Sequence, residues 1–90
     1  MHSLRVQKRA VADMRRFTPK IYRQIALKIF ALQFDPRPHD SKKIADGRRA
    51  SSGEYRIYYE ILDDENVVSV ELVGKRGDDE VYKRLSRLKR

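Results

Sequence analysis

The chain reads as an α+β fold: an N-terminal strand, an antiparallel helical hairpin packed on one face of a small, mainly antiparallel β-sheet, and a short C-terminal helix. Three observations predict it. Residues Glu54 to Ile61 alternate with period two, setting Tyr55, Ile57, Tyr59 and Ile61 against Glu54, Arg56, Tyr58 and Glu60, as a strand with one buried face requires. Two earlier stretches repeat apolar residues at helical spacing, Val11, Met14 and Phe17, then Ile21, Ile25, Ile29 and Leu32. Ninety residues suffice for one hydrophobic core and not for two, so residues 1–90 are expected to form a single domain.

The elements follow in order. Leu4 and Val6 alternate with Ser3, Arg5 and Gln7, which suits a short opening strand. A first helix is expected over about Arg9 to Arg16. Thr18-Pro19 opens the second, with Thr18 as N-cap and proline at the first helical position, where its missing N–H leaves no bond unmade. The run Asp35-Pro36-Arg37-Pro38 stops it. From His39 to Ser52 the sequence is polar without clean periodicity, and a short strand near Arg48 to Ala50 is expected to pair with Tyr55 to Ile57. Ser51-Ser52-Gly53 turns the chain into the strand of Glu54 to Ile61. After the turn of Asp63 to Asn66 comes the strand of Val67 to Val73, with Val68, Val70 and Leu72 on its apolar face and Ser69 and Glu71 on the polar one. Centring the hairpin between Asp64 and Glu65 sets Arg56 opposite Val73 and brings Arg76 out beyond it on the same edge. The helical hairpin is expected to cover the face of Tyr55, Ile57, Tyr59, Val68, Val70 and Leu72, leaving the other face open. The basic tail from Lys83 is expected to attach through Leu85 and Leu88.

Charge narrows the function. The net charge of +8 and pI near 10.0 call for a polyanionic partner. Residues 1 to 24 carry seven bases against one acid, whereas residues 51 to 74 carry six acids and a single base, Arg56. An isolated cation on an acidic hairpin, with Arg76 converging on it, needs an anion between the two charges, and phosphate is the natural candidate. The competing explanation is pairing with Glu54, Asp78 or Asp79. Cysteine is absent, so neither a disulfide framework nor a thiolate metal site is available, and no metal-ligand spacing, phosphate loop or nucleophile triad is present. No apolar run approaches the roughly 18 residues of a membrane span, and MHSLRVQKR lacks the apolar core of a signal peptide. A soluble, cytoplasmic protein without cofactor is expected.

The runs GEYRIYYEI and VGKRGDDEVYKRL resemble the RelE/ParE toxin superfamily of type II toxin–antitoxin systems, and the C-terminal part is more similar to its RelE branch. The residues that carry the likeness are Gly53, Tyr55, Arg56, Gly74, Lys75, Arg76, Val81 and Tyr82. The resemblance implies an mRNA interferase, an endoribonuclease acting on mRNA at the ribosome and neutralised by a cognate antitoxin in a hetero-oligomer. It implies catalytic roles for Arg56 at the scissile phosphate, Arg76 at the leaving oxygen and Tyr82 on the scissile nucleotide. Lys43, Arg48, Arg49 and Lys75 are the expected RNA-binding residues. Here the chain departs from its apparent relatives: GRRASS looks shortened and puts Arg48 and Arg49 where lysines are usual. Arginine stays protonated, so neither accepts the proton of the 2′-hydroxyl, and Lys43, Lys75 and Tyr82 are the substitutes. His2 and His39 lie at a terminus and in a proline-flanked loop. Two other readings stay open at this stage, a ParE-like toxin that inhibits DNA gyrase and a non-catalytic RNA- or ribosome-binding module.

Overall fold

Each element has a local cause. In the computed structural model, which describes residues 1–76 and 80–88, the order is β1 (Ser3–Val6), α1 (Lys8–Met14), α2 (Pro19–Ala31), β2 (Lys42–Ile44), β3 (Gly47–Ser52), β4 (Tyr55–Leu62), β5 (Val67–Lys75) and α3 (Glu80–Leu88). Thr18 caps α2 by accepting the Ile21 N–H, with Pro19 in the first turn. Asn66 takes a left-handed conformation, φ 57°, to close the β4–β5 turn, a conformation that asparagine tolerates better than most residues. Its carbonyl and side-chain amide then bond Ser3 and Met1, tying β1 to the turn.

The five strands are ordered β1-β5-β4-β3-β2; β1 runs parallel to β5 and the other neighbours are antiparallel. On one face α1 and α2 bury Ala10, Met14, Ile25, Ile29 and Leu32 against Ala50, Ile57, Tyr59, Val68, Val70 and Val73. Phe17 leans on Tyr55 with ring centroids 4.7 Å apart. This is the expected helical hairpin on the sheet.

Two expectations are corrected by one irregularity. The β4–β5 register follows the expected centring through Leu62↔Val67, Ile61↔Val68, Glu60↔Ser69 and Tyr59↔Val70, then shifts, so that Tyr58 faces Leu72 and Arg56 faces Gly74 in place of Val73. Glu71 is the extra residue of a β-bulge. Beyond it every side chain changes face. Leu72 therefore leaves the helical-hairpin face, and Val73 takes its place. The second face is not open either: Tyr58, placed by alternation among charged residues, is 1% exposed and forms a second core with Leu72 and with Val81 and Leu85 of α3. Leu88, expected to attach the tail, is 48% exposed.

The polar stretch before β3 also holds a strand that its sequence did not reveal. Lys42–Ile44 pairs with Gly47–Arg49 through a tight turn in which Ala45 has φ 48°. Gly47 is required by close approach, since a Cβ there would meet the Tyr59 carbonyl oxygen at 2.3 Å and the Tyr58 ring at 3.0 Å.

Candidate nucleic-acid interface

The bulge decides where the arginines go. In an unbroken ladder with Arg56 opposite Val73, Arg76 would have the wrong parity and point to the opposite face. With Arg56 opposite Gly74, Arg76 shares its face, and the Arg76 N–H donates to the Glu54 carbonyl at 2.8 Å, fixing the backbone just past β5. From β3, Arg49 lies opposite Tyr58 and so joins the same face, diagonal to Arg56. The short loop Gly53-Glu54 joins β3 to β4 with Gly53 at φ 58°, and Arg56 Nη1 donates to the carbonyls of Gly53, at 3.3 Å, and Tyr55, at 3.2 Å. Its guanidinium is thus aimed by the turn that precedes it.

The result is an open cleft of about 260 Å³ lined by Arg49, Arg56, Lys75, Arg76, Val81 and Tyr82. Among the described residues none of Arg49, Arg56 and Arg76 forms an ion pair; Asp78 and Asp79, the acids considered from sequence, lie outside those residues. Burial, then the charges of Arg49 and Arg76, press the Arg56 guanidinium below its ordinary value, with Tyr82 opposing them. Arg49 Nε is buried without a hydrogen-bond partner. Three converging guanidiniums with an unanswered buried donor have the chemistry to take an anion, and the planar fork of arginine matches the oxygens of phosphate. Tyr82, 43% exposed, presents its ring at the cleft wall.

Of the residues selected from sequence, Arg49, Arg56, Lys75, Arg76 and Tyr82 are brought together. Lys43 and Arg48 are not. They oppose each other in the β2–β3 register and point to the helical-hairpin face, beside a separate cavity of about 180 Å³. Arg48 there donates to the Ser41 hydroxyl and carbonyl, which binds the preceding loop to β3. Lys42, directly opposite Arg49, is the lysine on the cleft face. With β2 unrecognised its parity was unreadable, and the tight-turn signal Asp46-Gly47 was the clue to it.

The sheet order and the covering helices are those of the RelE toxin fold. The isolated Escherichia coli RelE toxin aligns with a TM-score of 0.73 and 26% identity over 100% of both chains. In the E. coli RelBE toxin–antitoxin complex the match has a TM-score of 0.72 and 26% identity, covering 83% of this chain and 96% of that one. A RelBE toxin–antitoxin complex of Mycobacterium tuberculosis gives a TM-score of 0.76 at 25% identity, covering 83% and 98%. No curated protein matches the chain in sequence. Residues 4–80 match the family model of the ParE toxin of type II toxin–antitoxin systems, and the chain belongs to that family, within the RelE/ParE superfamily.

Proposed function

We propose that this toxin is an mRNA interferase that cuts translated mRNA at the ribosome, without metal, by attack of the RNA's own 2′-hydroxyl on the adjacent phosphorus. The observation that carries the reading is the convergence of Arg49, Arg56 and Arg76 around one cleft with Tyr82 on its wall. The 2′-oxygen bonds to phosphorus as the 5′-oxygen departs, leaving a 2′,3′-cyclic phosphate and a 5′-hydroxyl. Charge gathers on the phosphorane oxygens, where Arg56, held by two carbonyls, is preorganised to meet it. Arg76 stabilises or protonates the leaving oxygen, and Tyr82 stacks on or holds the scissile nucleotide. Arg49 and Lys75 grip the flanking backbone. Lys75 and Tyr82 line the cleft and are the candidates to accept the 2′-hydroxyl proton, whereas Lys43 stands across the sheet.

A cognate antitoxin is the proposed partner in a hetero-oligomer, and the cytoplasm the proposed location. Among the described residues no helix is long and apolar enough to cross a membrane. The similar E. coli and M. tuberculosis toxins were solved with antitoxins. Here an apolar groove of about 150 Å³, lined by Leu4, Val6, Val11, Met14, Tyr22 and Phe30 among others, runs beside the unpaired edge of β1. Such an edge takes an added strand, and the groove an amphipathic helix.

The ParE family match favours a second reading, inhibition of DNA gyrase by protein contact. Parallel assays of the purified chain decide between them: cleavage of mRNA on programmed ribosomes, and supercoiling by gyrase. Cut mRNA with unimpaired supercoiling is expected; intact mRNA with blocked supercoiling would establish the second reading.

A further inference from the structure

One buried carboxylate joins the two elements that build the cleft. Asp13, the penultimate residue of α1, is 4% exposed. A carboxylate so buried is sustained only by donors that answer its charge. Its Oδ2 accepts the backbone N–H of Val73 at 3.0 Å, and its Oδ1 accepts Arg84 Nη1 at 2.6 Å, with Arg16 at 3.5 Å. β1 stops pairing with β5 at Val70, so the N–H of Val73 lies on an edge that no strand covers, and Asp13 satisfies it. Val73 stands three residues before Arg76, and Arg84 two residues after Tyr82.

The helix α3 needs such a tether. It has nine residues, below the length at which an isolated helix holds, and among the described residues Val81 and Leu85 are the ones it buries. Two side chains fix its distance from the sheet but resist rotation about its axis poorly. At a side-chain radius of about 5 Å, a rotation of about 30° moves a ring such as that of Tyr82 by about 3 Å. Misplacement by about 1 Å already costs on the order of a hundredfold in rate. Arg84, held at the uncovered edge of β5 by a carboxylate of α1, resists that rotation.

Resting on the nuclease reading, we infer that Asp13 is a positioning residue, which clamps α3 to β5 and thereby sets Tyr82 against Arg56 and Arg76. Asparagine in its place retains an oxygen for Val73 but turns an amide N–H toward Arg84, so β5 keeps its bond while the Asp13–Arg84 link is lost.

The test uses the full chain carrying Asp13→Asn, Arg84→Met or Arg84→Lys, with Arg84→Met also made in a Tyr82→Ala background. Single-turnover mRNA cleavage on programmed ribosomes and amide hydrogen exchange are measured. Asp13→Asn and Arg84→Met are expected to slow cleavage by about 10- to 100-fold and to accelerate exchange in α3, with Arg84→Lys recovering part of both. Without the Tyr82 ring, Arg84→Met should slow cleavage further by less than about threefold, because the clamp then has nothing to place. An equal loss with and without Tyr82, or exchange in α3 unchanged by Asp13→Asn, would overturn the inference. If the unsubstituted chain leaves mRNA intact, it is the nuclease reading that fails, and exchange in α3 alone still decides for or against the clamp.

Discussion

Arg56 stands beside Arg49 and Arg76 in a cleft where burial first, and those two charges second, hold its guanidinium below its ordinary value. On the proposed nuclease function, Arg56 contacts the scissile phosphate mainly in the transition state, and such a contact lowers the barrier without tightening the ground state. Arg76→Ala and Arg56→Ala are each expected to slow single-turnover cleavage on the order of a hundredfold or more, with ribosome affinity little changed. Arg49→Ala should weaken binding more than it slows the chemical step. Arg56→Ala should leave the thermal midpoint nearly unchanged, since it removes like-charge repulsion and two hydrogen bonds together in an open, solvent-screened cleft. A glycine gives the opposite case. Gly47→Ala sets a methyl group into the Tyr59 carbonyl and should destabilise the protein by about 1–3 kcal/mol, measured as a shift in the urea midpoint.

At the scale of elements, the sequence legibly carried β1, both helices of the hairpin, β4, β5 and the turn between them, because each has a clear period or cap. That Arg56, Arg76 and Tyr82 share one cleft was legible through motif likeness. Three features were hidden. The bulge at Glu71 defeated simple alternation, although Leu72 and Val73, adjacent and both buried, are the trace it leaves in sequence. The strand Lys42–Ile44 has three residues, too few to show a period, so the sequence does not tell Lys42, on the cleft face, from Lys43, on the other. The docking of α3 depends on Tyr58, whose place in the alternation put it among charges, whereas tertiary packing buries its ring. That second core is testable by itself. Leu85→Ala removes one of the two apolar anchors of α3 and should destabilise the protein by about 2–5 kcal/mol, while amide exchange accelerates in α3 before it does in the sheet.

Across the whole molecule, charge shapes how the acids titrate and motivates the proposed polyanionic partner. The Asp40 carboxyl is held below its ordinary value by Lys28, and that of Asp63 by Arg37 and then His2. A depressed folded value means that the unfolded chain binds more protons as the pH falls below about 3.9, so stability from these pairs is present above that pH and lost below it. The urea midpoint should therefore drop between pH 5 and pH 3, and less steeply in an Asp40→Asn, Asp63→Asn double variant. The basic N-terminal quarter, seven bases to one acid, should supply affinity independent of RNA sequence. Log affinity is then expected to fall with log salt by about 0.7 for each single-strand phosphate contacted. The central claim is that the cleft cuts mRNA. Its most direct test is primer-extension mapping of mRNA ends after induced expression, with translation running or blocked, for the unsubstituted chain and for an Arg56→Ala, Arg76→Ala double variant. New 5′ ends that require translation and vanish in the double variant, together with relief of growth arrest, are the expected result. Growth arrest that persists in the double variant with mRNA intact would contradict it.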